Sequence, residues 1–255
     1  ITTVAPTTTV APTTTVVPTT TTTTTQAPTT TLPSRDLIVF HSNGSSERYG
    51  GKYDIYVMKP DGSEFERITS DSISGDFSHF DPVSSPDGDT IAFVSRASWG
   101  PIIRAMNFAG DSSTRLSETP ENLCMQDCMR PSWSPDGSQI AYVSGWTYEH
   151  YEIFVMNADG TGVRQLTDND DVENDPAWSP DGSQIAFVRS VDKPDDFDIF
   201  DGYEVFVMNA DGTGVRQLTY NDHYDAYPVW SPDGSRIAFA SGRYGNCNLC
   251  SEIFV

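Results

Sequence analysis

One unit recurs four times in this chain, and a chain built from copies of one unit folds unit by unit. The clearest copies start at Tyr151 (YEIFVMNADGTGVRQLT, an acidic connector, DPAWSPDGSQIAFV) and at Tyr203 (YEVFVMNADGTGVRQLT, a second acidic connector, YPVWSPDGSRIAFA). Two earlier copies are weaker: YDIYVMKPDG with DPVSSPDGDTIAFV, and IIRAMNFAGD with RPSWSPDGSQIAYV. The aspartate of the second turn falls at Asp87, Asp136, Asp181 and Asp233, in steps of 49, 45 and 52 residues.

Each unit parses into four short strands, a to d. In the clearest unit these are Pro176–Ser179, Ser183–Val188, Glu204–Asn209 and Val215–Thr219. SPDG and NADG supply the hairpin corners: the aspartate accepts local backbone hydrogen bonds and the glycine takes the positive φ that a tight turn needs. Strands b and c (IAFV, IFVM, VFVM) are apolar on both faces, so neighbouring sheets cover both sides. No 3.6-residue stripe occurs, which excludes helical solenoids. Four-stranded antiparallel sheets covered on both sides at this period are the blades of an all-β propeller. The first unit begins at strand b (Leu37–Phe40, then Asp54–Met58 and Phe65–Ile68). The last holds Pro228–Ser231, Arg236–Ala240 and the start of strand c at Glu252–Val255. The count is therefore about five blades, present in part.

The pattern DxxPxWSPDGSQIAFV, preceded by IFVMNADGTGVRQLT, resembles the TolB-type, WD40-like (PD40) propeller repeat over Asp36 to Val255. That resemblance implies six or more blades, with a strand a from the C-terminal side completing the first, so the chain is expected to be a truncated propeller. Ser84 stands where other copies have tryptophan, and MNFAG replaces MNADG, so less regular packing is expected in those blades. The family includes an exported scaffold that binds partner proteins. Related propellers gate prolyl-oligopeptidase-like hydrolases or act as metal-dependent polysaccharide lyases. The expected role is a secreted, periplasmic or cell-surface binding module for a protein or glycan; part of an enzyme is the alternative.

Residues 1–34 are almost wholly Thr, Pro, Val and Ala, a composition that cannot build a core and reads as a disordered stalk or linker before a domain at 35–255. The net charge of -21 lies wholly beyond this leader and argues against nucleic-acid binding, which needs a basic footprint. No apolar run is long enough to span a bilayer as a helix. The four cysteines form two close pairs, Cys124 with Cys128 and Cys247 with Cys250, which suggests local disulfides and an oxidising compartment; four-thiolate zinc is the rival, and a free thiol pair is the alternative for the tight Cys247–Cys250 spacing.

In a four-stranded blade the ab and cd turns share one face and the bc and da loops the other. The first set is uniform here. The second varies in length and carries the aromatics Trp99, Trp146, Tyr148, Phe200, Tyr203, Tyr224 and Tyr227, making that face the expected partner surface. Acidic residues gather there too. Asp81, Asp175 and Asp225, supported by Asp170, Asp171 and Glu173, are expected near the central channel, where a hard cation such as calcium would relieve their repulsion. No GxSxG, HExxH, P-loop or GxGxxG pattern occurs, and no catalytic residue is assigned.

Overall fold

The computed structural model describes residues 37–43, 52–69, 78–97, 100–110, 113–117, 127–145, 150–191, 202–221, 223–242 and 252–255. Among them are five antiparallel sheets. The first holds β1 (Ile38–Ser42), β2 (Asp54–Met58) and β3 (Glu66–Arg67). The second holds β4 (Ser78–Ser84), β5 (Thr90–Ala97), β6 (Gly100–Asn107) and β7 (Ser113–Arg115). The third runs through β8 (Asp127–Trp133), β9 (Gln139–Gly145), β10 (Glu152–Asn157) and β11 (Arg164–Gln165). The fourth comprises β12 (Glu173–Trp178), β13 (Gln184–Ser190), β14 (Tyr203–Asn209) and β15 (Arg216–Gln217). The fifth has β16 (Asp225–Trp230), β17 (Ile237–Ser241) and β18 (Glu252–Phe254). Strand order within each sheet follows the chain, so each is an up-and-down blade, and the first starts at strand b as expected.

The strands a sit at the centre. β4 lies against β8, β8 against β12 and β12 against β16, so the inner edges of successive blades meet along one axis. The two rims also separate as expected. Ala158 N donates to Ser138 O and Ala210 N to Ser183 O, both at 2.9 Å, which joins ab and cd corners on one rim. On the other rim, Glu173 N at the start of a strand a donates to Tyr151 O at the start of the preceding blade's strand c.

The core is a series of seams between blades. Ile55, Val57 and Ile68 meet Ile91, Phe93 and Met106 across the first. Ala92, Ile103 and Leu116 meet Ile140, Tyr142, Phe154 and Met156 across the second. Across the third, Ala141, Val143, Ile153 and Val155 meet Ile185, Phe187, Phe206 and Met208. Alternate residues of one strand therefore serve opposite seams, which is why IAYV and IFVM are apolar at every position.

The SPDG corner works through its serine and aspartate. Ser179 Oγ donates to Asp181 Oδ1 at 2.6 Å, Asp181 Oδ1 accepts Ser183 N at 3.0 Å, and Gln184 N donates to Ser179 Oγ at 2.9 Å. The bonds from Ser179 and Ser183 hold the Asp181 carboxyl down at about 2. The MNFAG blade keeps all four strands, and Gly110 N still closes its turn on Asn107 O at 3.1 Å. The expected irregularity there does not extend to strand pairing.

Candidate functional site

Strand a starts earlier than the sequence suggested: β12 begins at Glu173 rather than Pro176, because it carries a bulge. The same irregularity recurs between Phe80 and Val83, Met129 and Ser132, Asn174 and Ala177, and Ala226 and Val229. At each bulge a proline (Pro82, Pro131, Pro176, Pro228) has no N–H to give the ladder, and the residue before it leaves the pairing. Those preceding residues are Asp81, Arg130, Asp175 and Tyr227, with φ of 50°, 56°, 49° and 53°. A left-handed non-glycine residue costs on the order of 1–2 kcal/mol. Four side chains are thus turned out of the ladder by one device at equivalent places in four blades.

These four meet. Together with their prolines, Val83 and Val229 they line a cavity of about 330 Å³ where the inner strands converge. Arg130 stands between two carboxylates, with Nη1 3.5 Å from Asp81 Oδ1 and Nε 3.3 Å from Asp175 Oδ1. Its guanidinium carbon lies 5.4 Å from the centre of the Tyr227 ring. Tyr227 N donates to Asp175 Oδ2 at 3.3 Å, and Asp81 N donates to His41 Nδ1 of the first blade at 3.2 Å. Burial lowers the Arg130 pKa, but Asp175 and Asp81 outweigh it and the net shift is upward. For Asp175 burial prevails over Arg130, and its pKa is raised.

Tyrosines flank this cluster. Tyr203 opens β14, Tyr224 immediately precedes β16, and their rings meet edge to face at 5.5 Å. Burial and then the Asp175 charge push both phenols above their usual pKa. Tyr227 remains 54% exposed. The structure thus brings Tyr203, Tyr224 and Tyr227 into one neighbourhood at the loop-bearing end of the inner strands.

The acidic residues expected near the channel divide. Asp81 and Asp175 face Arg130. Asp225 is fully buried two residues before the bulge, at the position equivalent to Glu173 in the preceding blade, and accepts a hydrogen bond from Asn221 Nδ2 at 2.8 Å. Asp170 is exposed in the preceding loop, and Asp171 lies 3.9 Å from Arg189 Nε. Among the described residues, no three His, Cys, Asp or Glu side chains come together as a metal-holding group. Cys128 is buried and disulfide-bonded. Cys124, Cys247, Cys250, Trp99, Trp146, Tyr148 and Phe200 lie outside the described residues, as do residues 1–34.

Two features were missed. Arg130 completes the cluster; aligning the copies on the proline before each S-P-D-G corner, instead of on acidic residues, gives Asp81, Arg130, Asp175 and Tyr227 directly. The second is the pairing of Glu173, grouped above with the channel acids, with Glu152 as two buried carboxyls at the third seam. Asn169 joins it, its backbone N donating to Glu152 Oε1 at 2.9 Å and its Nδ2 to Glu173 Oε1 at 2.8 Å. Arg189 Nε reaches Glu173 Oε1 at 2.6 Å. Burial first, then the contact with Glu152, push the Glu173 carboxyl up to about 8.

Residues 126–252 match the family model described as TolB beta propeller domain (PD40). Over these residues the repeat is of the TolB propeller type. A protein TolB homolog of Chlorobium luteolum is 31% identical over 160 residues, 62% of this chain and 33% of that protein. The chain therefore spans about a third of that relative. The TolB crystal structure from Acinetobacter baumannii superposes with a TM-score of 0.65 at 20% identity, over 87% of this chain and 50% of that one. An oligogalacturonate lyase in complex with manganese superposes at 0.55 with 15% identity, over 81% of this chain and 56% of that one. Both structural likenesses establish the fold alone.

Proposed function

We propose that this TolB-type propeller is a non-catalytic binding module of an exported protein, and that it engages a protein partner at the channel mouth formed by Asp81, Arg130, Asp175 and Tyr227. One observation carries this reading. The chain keeps the strained bulge in four blades, yet places acid, base, acid and aromatic on it in turn. A purely structural position in near-identical repeats would repeat its residue, as the SPDG corner does. Strain held by the surrounding fold and presenting differing side chains into a cavity is the pattern of a recognition site. The exposed Tyr227 and Val229 beside Arg130 add the aromatic and arginine chemistry common at protein interfaces. The TolB resemblance and the disulfide-bonded Cys128 support export.

The test is site-specific photo-crosslinking in the source organism. A benzophenone amino acid at Tyr227 should give a discrete adduct, and the same group at Ser235, on the opposite rim, should not. Equal adducts from both rims would sink the site. Turnover of oligogalacturonate or of dipeptidyl substrates by the purified protein would sink the non-catalytic assignment.

A further inference from the structure

The channel mouth has a chemistry more specific than a generic interface. Two carboxylates, Asp81 and Asp175, face a single cation, Arg130, so the cluster carries an excess of one acid over base in a chain of net charge -21. Arg130 lies over the Tyr227 ring, while Tyr203 and Tyr224 stand on the Asp175 side with no cation over either among the described residues. Burial first and the Asp175 charge second raise both phenols, with Arg130 opposing the rise at Tyr224. Tyrosine faces backed by a carboxylate attract organic cations. Arg130 shows the same preference from within the chain, because a guanidinium already rests on one tyrosine between two acids.

Resting on the proposed partner site, we infer that the group recognised there is a lysine or arginine side chain of the partner protein, seated against Tyr224 beside Asp175, next to the Tyr227 ring that Arg130 covers. Charge complementarity selects this occupant: an acidic segment would meet Asp81, Asp175 and the field of the whole domain.

The test uses the purified chain labelled with ¹³C in its tyrosine rings, assigned by tyrosine-to-phenylalanine variants, and two probes, acetyl-Ala-Lys-Ala-amide and acetyl-Ala-Glu-Ala-amide. The lysine peptide should shift the Tyr224 and Tyr227 ring signals, with the shifts weakening as salt is added. Asp175→Asn should weaken its binding about tenfold. Asp81→Asn serves as the second variant if Asp175→Asn fails to fold. The glutamate peptide should shift neither ring. Lysine-peptide titrations that leave both rings unmoved, or equal shifts from both peptides, would overturn the inference. The two readings fail separately: a Tyr227 crosslink to a partner segment lacking Lys and Arg would refute the basic side chain and leave the partner site standing.

Discussion

The indole nitrogen of Trp230 donates a 3.1 Å hydrogen bond to the carbonyl oxygen of Ala177, 53 residues earlier in the chain and one blade away. Trp133 makes the equivalent bond to Val83 O at 3.2 Å. The tryptophan of WSPDG is therefore a clasp between successive strands a, reaching to the second residue beyond the preceding bulge. Ser84 occupies this position in the second blade, and among the described residues the first blade has no strand a to offer it a carbonyl. The third case differs, because Trp178 Nε1 has no acceptor among the described residues. Trp133→Phe and Trp230→Phe should each cost about 1 kcal/mol, the net worth of a hydrogen bond, whereas Trp178→Phe should cost less or be neutral. Urea midpoints of the three variants check the order.

The cd corners pack against the blade before them. A Cβ on Gly160 (φ +87°) would sit 2.3 Å from Leu116 O, whereas a Cβ on Gly62 (φ +81°) would meet nothing within 4 Å. Both positions carry the left-handed penalty, and only one adds a collision with backbone. Gly62→Ala should cost about 1 kcal/mol, and Gly160→Ala several times more. A thermal shift for Gly62→Ala as large as that for Gly160→Ala would refute the inter-blade contact.

The fold was legible because its signals are local. Asp-Gly corners fix the hairpins, and doubly apolar strands require sheets on both sides, so the paired strands lie within a few residues of where the sequence put them. The bulge was not legible. A proline after an aspartate reads as the first residue of a strand, and residue type does not reveal a left-handed aspartate, arginine or tyrosine. That displaced the expected start of β12 by three residues and let Asp225 be grouped with Asp175, whose true equivalent in the next blade is Tyr227. Arg130 escaped for a related reason: a search for converging acids passes over the base that brings them together.

Arg130 and its acids form a coupled set at the channel mouth. Arg130→Met leaves Asp81 and Asp175 facing each other with their countercharge gone. Because Arg130 is 36% exposed, solvent screens the effect, and a loss of about 1 kcal/mol is expected. Asp175→Asn in the Arg130→Met background should recover part of it. A double-mutant cycle showing strict additivity would mean that the observed 3.3 Å contact contributes no energy.

The buried titratable groups at two seams give stability a defined pH profile. Glu173 moves from 4.5 unfolded to about 8 folded, so the stability it confers is full below about 4.5 and is lost as pH rises through 8. His79 moves the other way. Fully buried, with neither ring nitrogen hydrogen-bonded among the described residues, it falls from 6.5 to about 4, mainly through burial, so its contribution is full above 6.5 and is lost as pH falls through 4. Between about pH 4.5 and 6.5 the two slopes oppose and cancel, leaving these groups without net effect. From about 6.5 to 8 only Glu173 acts, and stability should fall by on the order of 1 kcal/mol per pH unit. Glu173→Gln should flatten that decline, and His79→Leu should extend it downward toward pH 5. Chemical denaturation at half-unit pH steps measures all three curves. A wild-type curve that is level from pH 6.5 to 8, or an undiminished slope in Glu173→Gln, would show that the Glu152–Glu173 pair holds no proton in the folded protein.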